Sequence, residues 1–490
     1  MKQRTEVTVV GSGMAGLTTA CLLAHAGKKV TVLERNWLPG GCTSSYWRKG
    51  FVFESGATTL VGLSPHMSLQ YLLNTIGVSV EAKPLALPMQ VWFEKGKSID
   101  RYESLEAWIQ EAEATFGSEG QRDFWEFCFQ VSEFVWETSL QQTAFPPSTL
   151  GDLWYCINNA SLRQVRFARY AFQTMEDLLR KYGLLENERF VQFVNEQLMI
   201  TAQNTLEEVN VLFGATALCY TNYTNYYMPG GLINLVNPLV EYIQEKGGEV
   251  LLRHEVQNIE KTSANTYITH ASYKGTSYQW ESDLMVSALP INNTLPLFSE
   301  SRKVFQQKKM EANTLSSAFQ MGIAFKPHRT QESIHHQIHF PELSSYTGSH
   351  SIFLSLSHPD DTTRSDEDGI QVASVSTHIH DLENRMDIDK SVIEQLILDK
   401  LEKFDFIKKE NIVYRHASTA RAWEKWTGRA YGFVGGYPQK AQIKPWQMLD
   451  ARLDGAGAYI CGDTTYPGQG IPGACLSGII AFEKIRRDYF

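Results

Sequence analysis

The sequence predicts an α/β protein: a Rossmann-type dinucleotide-binding domain, split in sequence, joined to an α+β substrate domain. Three observations carry this prediction. A glycine-rich turn, Gly11-x-Gly13-x-x-Gly16, links a short apolar strand to a helix rich in Ala and Leu. An acidic residue, Glu34, ends the next apolar strand, about 20 residues beyond those glycines, where the dinucleotide fingerprint places its acid. A second glycine-rich turn, running from Gly462-Asp463 to Gly473, leads into the last helix.

The first element is a βαβ unit: a strand over 6–10, a helix over 13–26 and a second strand over 29–33. Gly11 suits a tight turn, Gly13 lets backbone N–H groups approach a phosphate, and Gly16 allows tight packing of helix on strand. Ser12, Met14 and Ala15 complete the cradle, and the helix N-terminus adds partial positive charge. Gly27 fits the C-terminal cap. The Glu34 carboxylate is placed to accept both ribose hydroxyls of an adenosine. Arg35 and the turn Gly40-Gly41-Cys42-Thr43 follow it, then an aromatic strand, Phe51-Val52-Phe53, running on through Ser55-Gly56 to Thr58.

At the other end of the chain, 459–461 reads as a strand and 472–487 as a helix. Pro472 fits the first helical position, and Lys484, Arg486 and Arg487 fit the last turns. Free N–H groups of Gly470 and Ile471 at this helix start would stabilise the negative charge that a reduced flavin carries near N1 and C2=O. Gly462 turns the chain, and Asp463 would accept from a ribityl hydroxyl or lie beside the pyrophosphate. A nicotinamide dinucleotide satisfies the first unit equally well, so it is the pair of turns that argues for FAD.

The order of acid, Gly-Gly turn and aromatic strand resembles the FAD-binding amine-oxidase and phytoene-desaturase clan. The segment Gly462-Asp463-Thr464-Thr465-Tyr466-Pro467-Gly468-Gln469-Gly470-Ile471-Pro472-Gly473, with Ser477-Gly478, is similar to the C-terminal signature of phytoene desaturases, carotenoid isomerases and retinol saturases. Gly468-Gln469-Gly470 is closer to the isomerase branch and Ile471-Pro472-Gly473 to the desaturase branch. Tyr227-Met228-Pro229-Gly230-Gly231-Leu232 and Val256-Gln257-Asn258-Ile259 resemble the family's middle segment, and 428–438 its pre-C-terminal stretch. The resemblance implies that Val256 brings its backbone to the adenine. It also implies FAD-dependent desaturation or cis-trans isomerisation of an extended apolar polyene, a carotenoid or retinoid, with saturation as a third outcome. In some amine oxidases of the clan a cysteine holds the flavin; here Gly435-Gly436-Tyr437 stands in the corresponding stretch, so the FAD is expected to be noncovalent.

The 490 residues allow two domains with ample cores. A net charge of −9 gives no footprint for nucleic acid. No apolar run approaches the ~18 residues of a membrane span, and the first strand starts within a few residues of Met1, so no signal peptide is expected. Seven cysteines without a C-x-x-C suit reduced thiols; Cys42 and Cys461 read as small buried groups near the flavin. The expected location is cytoplasmic, with peripheral membrane contact left open.

The FAD-binding domain is expected to comprise 1–104, 225–298 and 423–490. A helical insertion, 105–224, faces substrate and membrane, and 299–422 forms the sheet of the substrate domain, with strands over 317–325 and 371–379 and a helix over 390–404. The helical insertion is aromatic: Trp125, Phe127, Phe129, Phe134, Trp136, Trp154, Tyr155, Phe167, Tyr170 and Phe172, followed by Tyr220, Tyr223, Tyr226 and Tyr227. An i, i+4 pair such as Trp125 and Phe129 reads as core, while the set as a whole suits an apolar tunnel. Arg163, Arg166 and Arg169, three apart, read either as a solvated face or as a contact to anionic headgroups. His335, His336 and His339, like His378 and His380, lack a spaced carboxylate, and no metal is expected. No catalytic base stands out, because a cation left beside a conjugated chain is delocalised. Two other readings remain: an amine or porphyrinogen oxidase, and a redox-silent binding protein similar in fold to GDP-dissociation inhibitors. The intact phosphate glycines and Gly462-Asp463 speak against the second.

Overall fold

The computed structural model describes residues 2–298, 311–436, 440–444 and 447–490. Residues 299–310, with which the expected 299–422 insertion begins, and Tyr437 and Pro438 of the pre-C-terminal stretch lie outside the described residues.

Five parallel strands form the central sheet, in the spatial order Glu249–Leu252, Val30–Glu34, Val7–Val10, Leu284–Ser287, Ala458–Ile460. Its middle strands are sealed on both faces. Val7, Val9, Val30, Val32 and Val286 are wholly buried, which is why they read as continuous apolar runs rather than alternating ones. Helix Met14–His25 is buried along almost its whole length, between the sheet, helix Ile233–Glu245 and the last helix, Ile471–Tyr489. The crossing of first and last helices is close: a Cβ on Gly478 would lie 2.5 Å from the Ala15 carbonyl oxygen, and Thr19 Oγ1 donates to the Gly478 carbonyl at 3.0 Å. The two ends of the chain are thereby packed together.

A four-stranded sheet flanks this unit, in the order Lys2–Arg4, Thr276–Ser282, Tyr267–Tyr273, Glu255–Lys261. A seven-stranded sheet forms the second body, in the order Ile412–Ser418, Ser316–Phe325, Gln371–His380, Ser351–Leu356, His335–His339, Met89–Glu94, Lys97–Arg101. Helix Lys390–Lys403 packs on it through Ile393, Ile397 and Leu401. The hairpin at 89–101, counted in the sequence with the first stretch, belongs to this larger sheet instead, through a parallel pairing of Gln90–Trp92 with His336–Ile338. Its alternating pattern marks it as strand but carries no information about which sheet receives it.

Between the two bodies, helices Leu105–Phe116, Gln121–Gln141, Glu188–Thr201 and Val211–Leu218 enclose an aromatic core. Trp108 meets Trp125 edge-on at 5.0 Å, and Phe190 and Phe193 close around them. Arg101 is buried in the middle of this core. Its guanidinium lies 4.2 Å from the Trp108 ring and donates to Gln197 Oε1 and the Leu218 carbonyl, both at 2.6 Å. Burial lowers its pKa to about 10.

Candidate functional site: a cofactor cradle opening into an aromatic chamber

One cavity of about 840 Å³ runs from the glycine turn to the helical insertion, near the upper end of the range for small-molecule sites. Its cofactor half is built from both ends of the chain. Gly11, with φ +97°, holds its N–H 2.8 Å from the Leu33 carbonyl and turns the chain off the sheet. A Cβ on Gly16 would lie 2.3 Å from the Gly11 carbonyl oxygen and 2.8 Å from Ala288 Cβ, so the third glycine is a packing requirement. Around Gly13, by contrast, a Cβ would meet nothing within 4 Å. Gly13 also caps helix Met14–His25 with no side-chain acceptor for the first N–H groups. Open space in front of unpaired helix donors is what a bound phosphate requires.

The Gly40-Gly41 turn lies against this loop. Gly40 N–H donates to the Ser12 carbonyl at 2.9 Å, and both glycines have positive φ. Glu34 ends its strand at the cavity wall, fixed by three donors: Ser12 N–H at 2.9 Å and Ser12 Oγ at 2.8 Å on one oxygen, and Asn36 N–H at 2.7 Å on the other. The expected role for Ser12 therefore changes, since its side chain and N–H orient Glu34 from beneath rather than facing the cavity. Gly16 likewise lies under the loop. The remaining residues singled out from the sequence, Gly11, Gly13, Met14, Ala15, Glu34, Arg35, Gly40, Gly41, Cys42, Thr43, Thr58, Val256, Gly462, Asp463, Gly470 and Ile471, all line the cavity. Val256 sits at a register shift where its strand pairs with Tyr267–Tyr273.

At the C-terminal turn, Gly462 (φ +134°) and Gly470 (φ +83°) adopt conformations that side chains strain to reach. Gly470 caps the last helix without a side-chain acceptor, and its first turn opens on the cavity. Arg429, which the sequence reading did not single out, completes the wall: its Nη2 lies 2.6 Å from Asp463 Oδ2. Burial works against the charge on Arg429, yet Asp463 and Cys42 hold its pKa above the usual guanidinium range. Burial also raises the Cys42 thiol, leaving it an unreactive wall group. Asn293 fixes the arginine's turn, donating to the Gly428 carbonyl at 2.6 Å and accepting from Ala430 N–H at 3.1 Å. The available signal was a lone cation flanked by turn glycines, Gly428-Arg429-Ala430-Tyr431-Gly432.

The second half of the cavity has an apolar and aromatic wall on its helical side. Helix Gln121–Gln141 buries Phe124, Trp125 and Val131 in the core and presents Val135, Trp136 and Ser139 to the chamber. Phe213, Ala217, Tyr220, Tyr223 and Phe353 continue the wall. Of the aromatic residues noted in the insertion, Trp136, Tyr220 and Tyr223 face the chamber, whereas Trp125, Phe134, Phe167 and Tyr170 are core.

The paired histidines divide by position. His335 Nδ1 meets Ser355 Oγ at 2.9 Å, and His336 Nδ1 accepts from Trp92 Nε1 at 3.2 Å. Burial lowers both imidazoles to about 3. His339 Nδ1 lies 2.5 Å from Glu196. His378 reaches the cavity wall.

Arg163, Arg166 and Arg169 are all exposed, but Arg163 and Arg169 have partners within the protein. Helix Leu162–Ala168 carries the first two, Arg163 is paired with Glu137 at 2.5 Å, and Arg169 stacks on Tyr170. The region also exposes large apolar side chains: Leu150 is 87% exposed, Trp154 66%, Leu162 91% and Val165 70%. Among the described residues, no helix is long and apolar enough to cross a membrane.

A split parallel sheet with a phosphate cradle, a ribose-side acid and an uncapped helix start on one cavity defines a dinucleotide-dependent oxidoreductase. The chain belongs to the family of flavin containing amine oxidoreductases, whose model matches residues 14–485, and its cofactor is FAD. It is 22% identical to the chloroplastic prolycopene isomerase of Daucus carota, over 99% of this chain and 80% of that one. It is 26% identical to the all-trans-retinol 13,14-reductase of Danio rerio over 55% of this chain and 45% of that one. It is 21% identical to the 4,4'-diapophytoene desaturase of Staphylococcus haemolyticus, over 98% and 99%. Among solved structures, a putrescine oxidase variant superposes with a TM-score of 0.65 at 14% identity, covering 99% of this chain and all of the other.

Proposed function

We infer that the protein binds FAD noncovalently between its two ends and acts on an extended apolar polyene of the carotenoid or retinoid class, by desaturation or cis-trans isomerisation. The observation that carries this reading is the continuity of one cavity from the glycine cradle, past the start of the last helix, into the wall formed by Val135, Trp136, Phe213, Tyr220 and Tyr223. The activities for which the isomerase, desaturase and retinol reductase relatives are named support it.

In this reading the free N–H groups at Gly13, Met14 and Ala15 hold the diphosphate, Glu34 takes the adenosine ribose, and Val256 borders the adenine. Gly462 and Asp463 hold the ribityl chain, and Gly470 and Ile471 face the ring. Arg35, Gly40, Gly41, Cys42, Thr43 and Thr58 complete the wall. FAD supplies hydride acceptance and return. The aromatic chamber excludes water and aligns the polyene, and delocalisation of charge over a conjugated chain lowers the demand for a dedicated catalytic base. The stretches 1–104, 225–298 and 423–490, without the hairpin at 89–101, act as the cofactor domain; 105–224 supplies the chamber wall and 299–422 its floor.

An amine substrate fits less well. The carboxylates that line the cavity among the described residues, Glu34, Glu255 and Asp463, all lie on the cofactor side, so none is placed in the aromatic half to meet an ammonium group. The exposed apolar segment at 150–172 serves in this reading as the contact with the membrane that stores the substrate.

The test is anaerobic incubation of the holoenzyme with a panel of carotenoids and retinoids, following flavin absorbance and product isomers together. Bleaching indicates desaturation, and new geometric isomers without net bleaching indicate isomerisation. Turnover of amines with none of any polyene contradicts the reading.

A further inference from the structure

The floor of the chamber carries more hydrogen-bonding capacity than a hydrocarbon can use. Three strands of the seven-stranded sheet border the cavity, through Ala318 and Gln320, Ser376 to His378, and Ser351 and Phe353. All of these but Thr377 stand at the alternate positions of one sheet face. Ala318 stands directly opposite His378, so the neighbouring strand leaves the imidazole uncovered by a large side chain. Gln203 lies against it from the helical insertion, with its Nε2 3.3 Å from His378 Nε2.

That contact sets the tautomer. With Nε2 accepting from the Gln203 amide, the hydrogen sits on Nδ1. Nδ1 has no acceptor among the described residues, and His378 borders the cavity. Burial, reinforced by His380, lowers the imidazole to about 3, so it presents a neutral N–H. Among the described residues, the cations on the cavity wall are Arg35 and Arg429, engaged by Glu255 and Asp463 on the cofactor side.

The position relative to the flavin follows from Gln203. A Cβ on Gly435 would collide with both the Gln203 and Gln469 amides, so these two side chains converge at that glycine. Gln469 immediately precedes Gly470 and Ile471, where the last helix begins. Gln203 itself is held at φ +52°, a conformation uncommon for a residue with a side chain and frequent at functional sites.

The geometry points to His378, steadied by Gln203, as the hydrogen-bond donor for an oxygen atom of the substrate. The substrate is then a polyene with a hydroxyl or carbonyl group lying close to the double bond that reacts, rather than a pure hydrocarbon. A hydrocarbon seated on this floor would displace water from the imidazole N–H and leave it unpaired, a penalty that an oxygenated analogue avoids. A carboxylate fits less well, because the imidazole is neutral and the nearby cations are paired. The inference rests on the polyene reading and narrows it.

The experiment uses the holoenzyme and two matched pairs of ligands, one of retinoid and one of carotenoid length. Each pair comprises an alcohol or aldehyde and the hydrocarbon of the same length. Binding is read from perturbation of the flavin spectrum, with FAD content measured separately. The wild type is expected to bind the oxygenated member of at least one pair ~10-fold or more tightly than its hydrocarbon. H378L should lose that margin at unchanged FAD content, and H378Q, which keeps a donor, should recover part of it. Equal binding of both members by the wild type, or a margin that survives H378L, overturns the inference while the polyene reading stands. Loss of FAD from H378L would place the imidazole on the cofactor and also overturn it. If no member of either pair binds, the polyene reading and this inference fall together.

Discussion

Arg429 and Asp463, 34 residues apart in sequence, meet at 2.6 Å on the cavity wall. The pair joins the turn after helix Ala420–Thr427 to the glycine-rich segment that begins the last helix. Breaking a largely buried pair leaves its partner uncompensated, which costs about 3–5 kcal/mol where burial is complete. Arg429→Gln is therefore expected to weaken FAD at least ~10-fold and to lower the melting temperature of the holoprotein. Arg429→Lys should recover only part of this, because an ammonium lacks the guanidinium's planar fork. Fluorescence titration of FAD into apoprotein, with thermal melts, measures both.

Gly16 makes a prediction about packing rather than cofactor contact. Its Cβ would be 2.3 Å from the Gly11 carbonyl oxygen, backbone that cannot swing aside. Gly16→Ala is expected to destabilise apo and holo forms alike, by about 1–3 kcal/mol as for other overpacked sites. Chemical denaturation of both forms tests this, and a loss confined to the holo form would contradict it.

Acid should destabilise the protein through its buried histidines. Burial holds His335 and His336 neutral, at about 3 against the ordinary imidazole value of 6.5. Below about pH 6.5 the unfolded chain takes up protons that the folded chain refuses, so stability present above 6.5 is lost as pH falls toward 3. Each such histidine contributes about 1.4 kcal/mol per pH unit to the slope. His336→Gln should flatten the dependence of the denaturation midpoint on pH between 6.5 and 4.5; an unchanged slope would contradict the assignment.

The exposed segment at 150–172 should govern vesicle binding through its apolar residues. Replacing Leu150, Trp154, Leu162 and Val165 with Ser is expected to abolish flotation with liposomes. Replacing Arg163, Arg166 and Arg169 with Ala should weaken flotation mainly on anionic lipid, by about 1 kcal/mol for each cation that reaches the surface. Equal flotation of the wild type and the Ser variant would sink the membrane reading.

The sequence made the cofactor side legible because each feature there is local. Valine runs on two-face-buried strands, glycines forced by turns, and an acid at a strand end all leave marks within a few residues. Relations between distant parts were harder to see. Nothing in Met89–Arg101 states that it pairs with His336–Ile338, nor does Ser12 announce that it turns beneath the loop to hold Glu34. The three arginines at spacing three drew attention to charge, yet the same segment exposes Leu162 and Val165 while Arg163 turns back to Glu137. His378, close to His380, suggests a metal ligand in the sequence, and its neighbours on the sheet face, Ser376 and Ala318, become apparent only once strand register is known.

The central claim is that the two ends of the chain hold one FAD together. Its most direct test is titration of FAD into apoprotein of the wild type, Gly13→Val and Asp463→Ala, with far-ultraviolet circular dichroism as a check on folding. Gly13→Val places side-chain atoms where the cradle is open and Asp463→Ala removes the carboxylate at the opposite end of the chain, so both are expected to remain folded and to bind FAD at least ~10-fold more weakly. Affinities for both variants equal to that of the wild type would contradict the central claim.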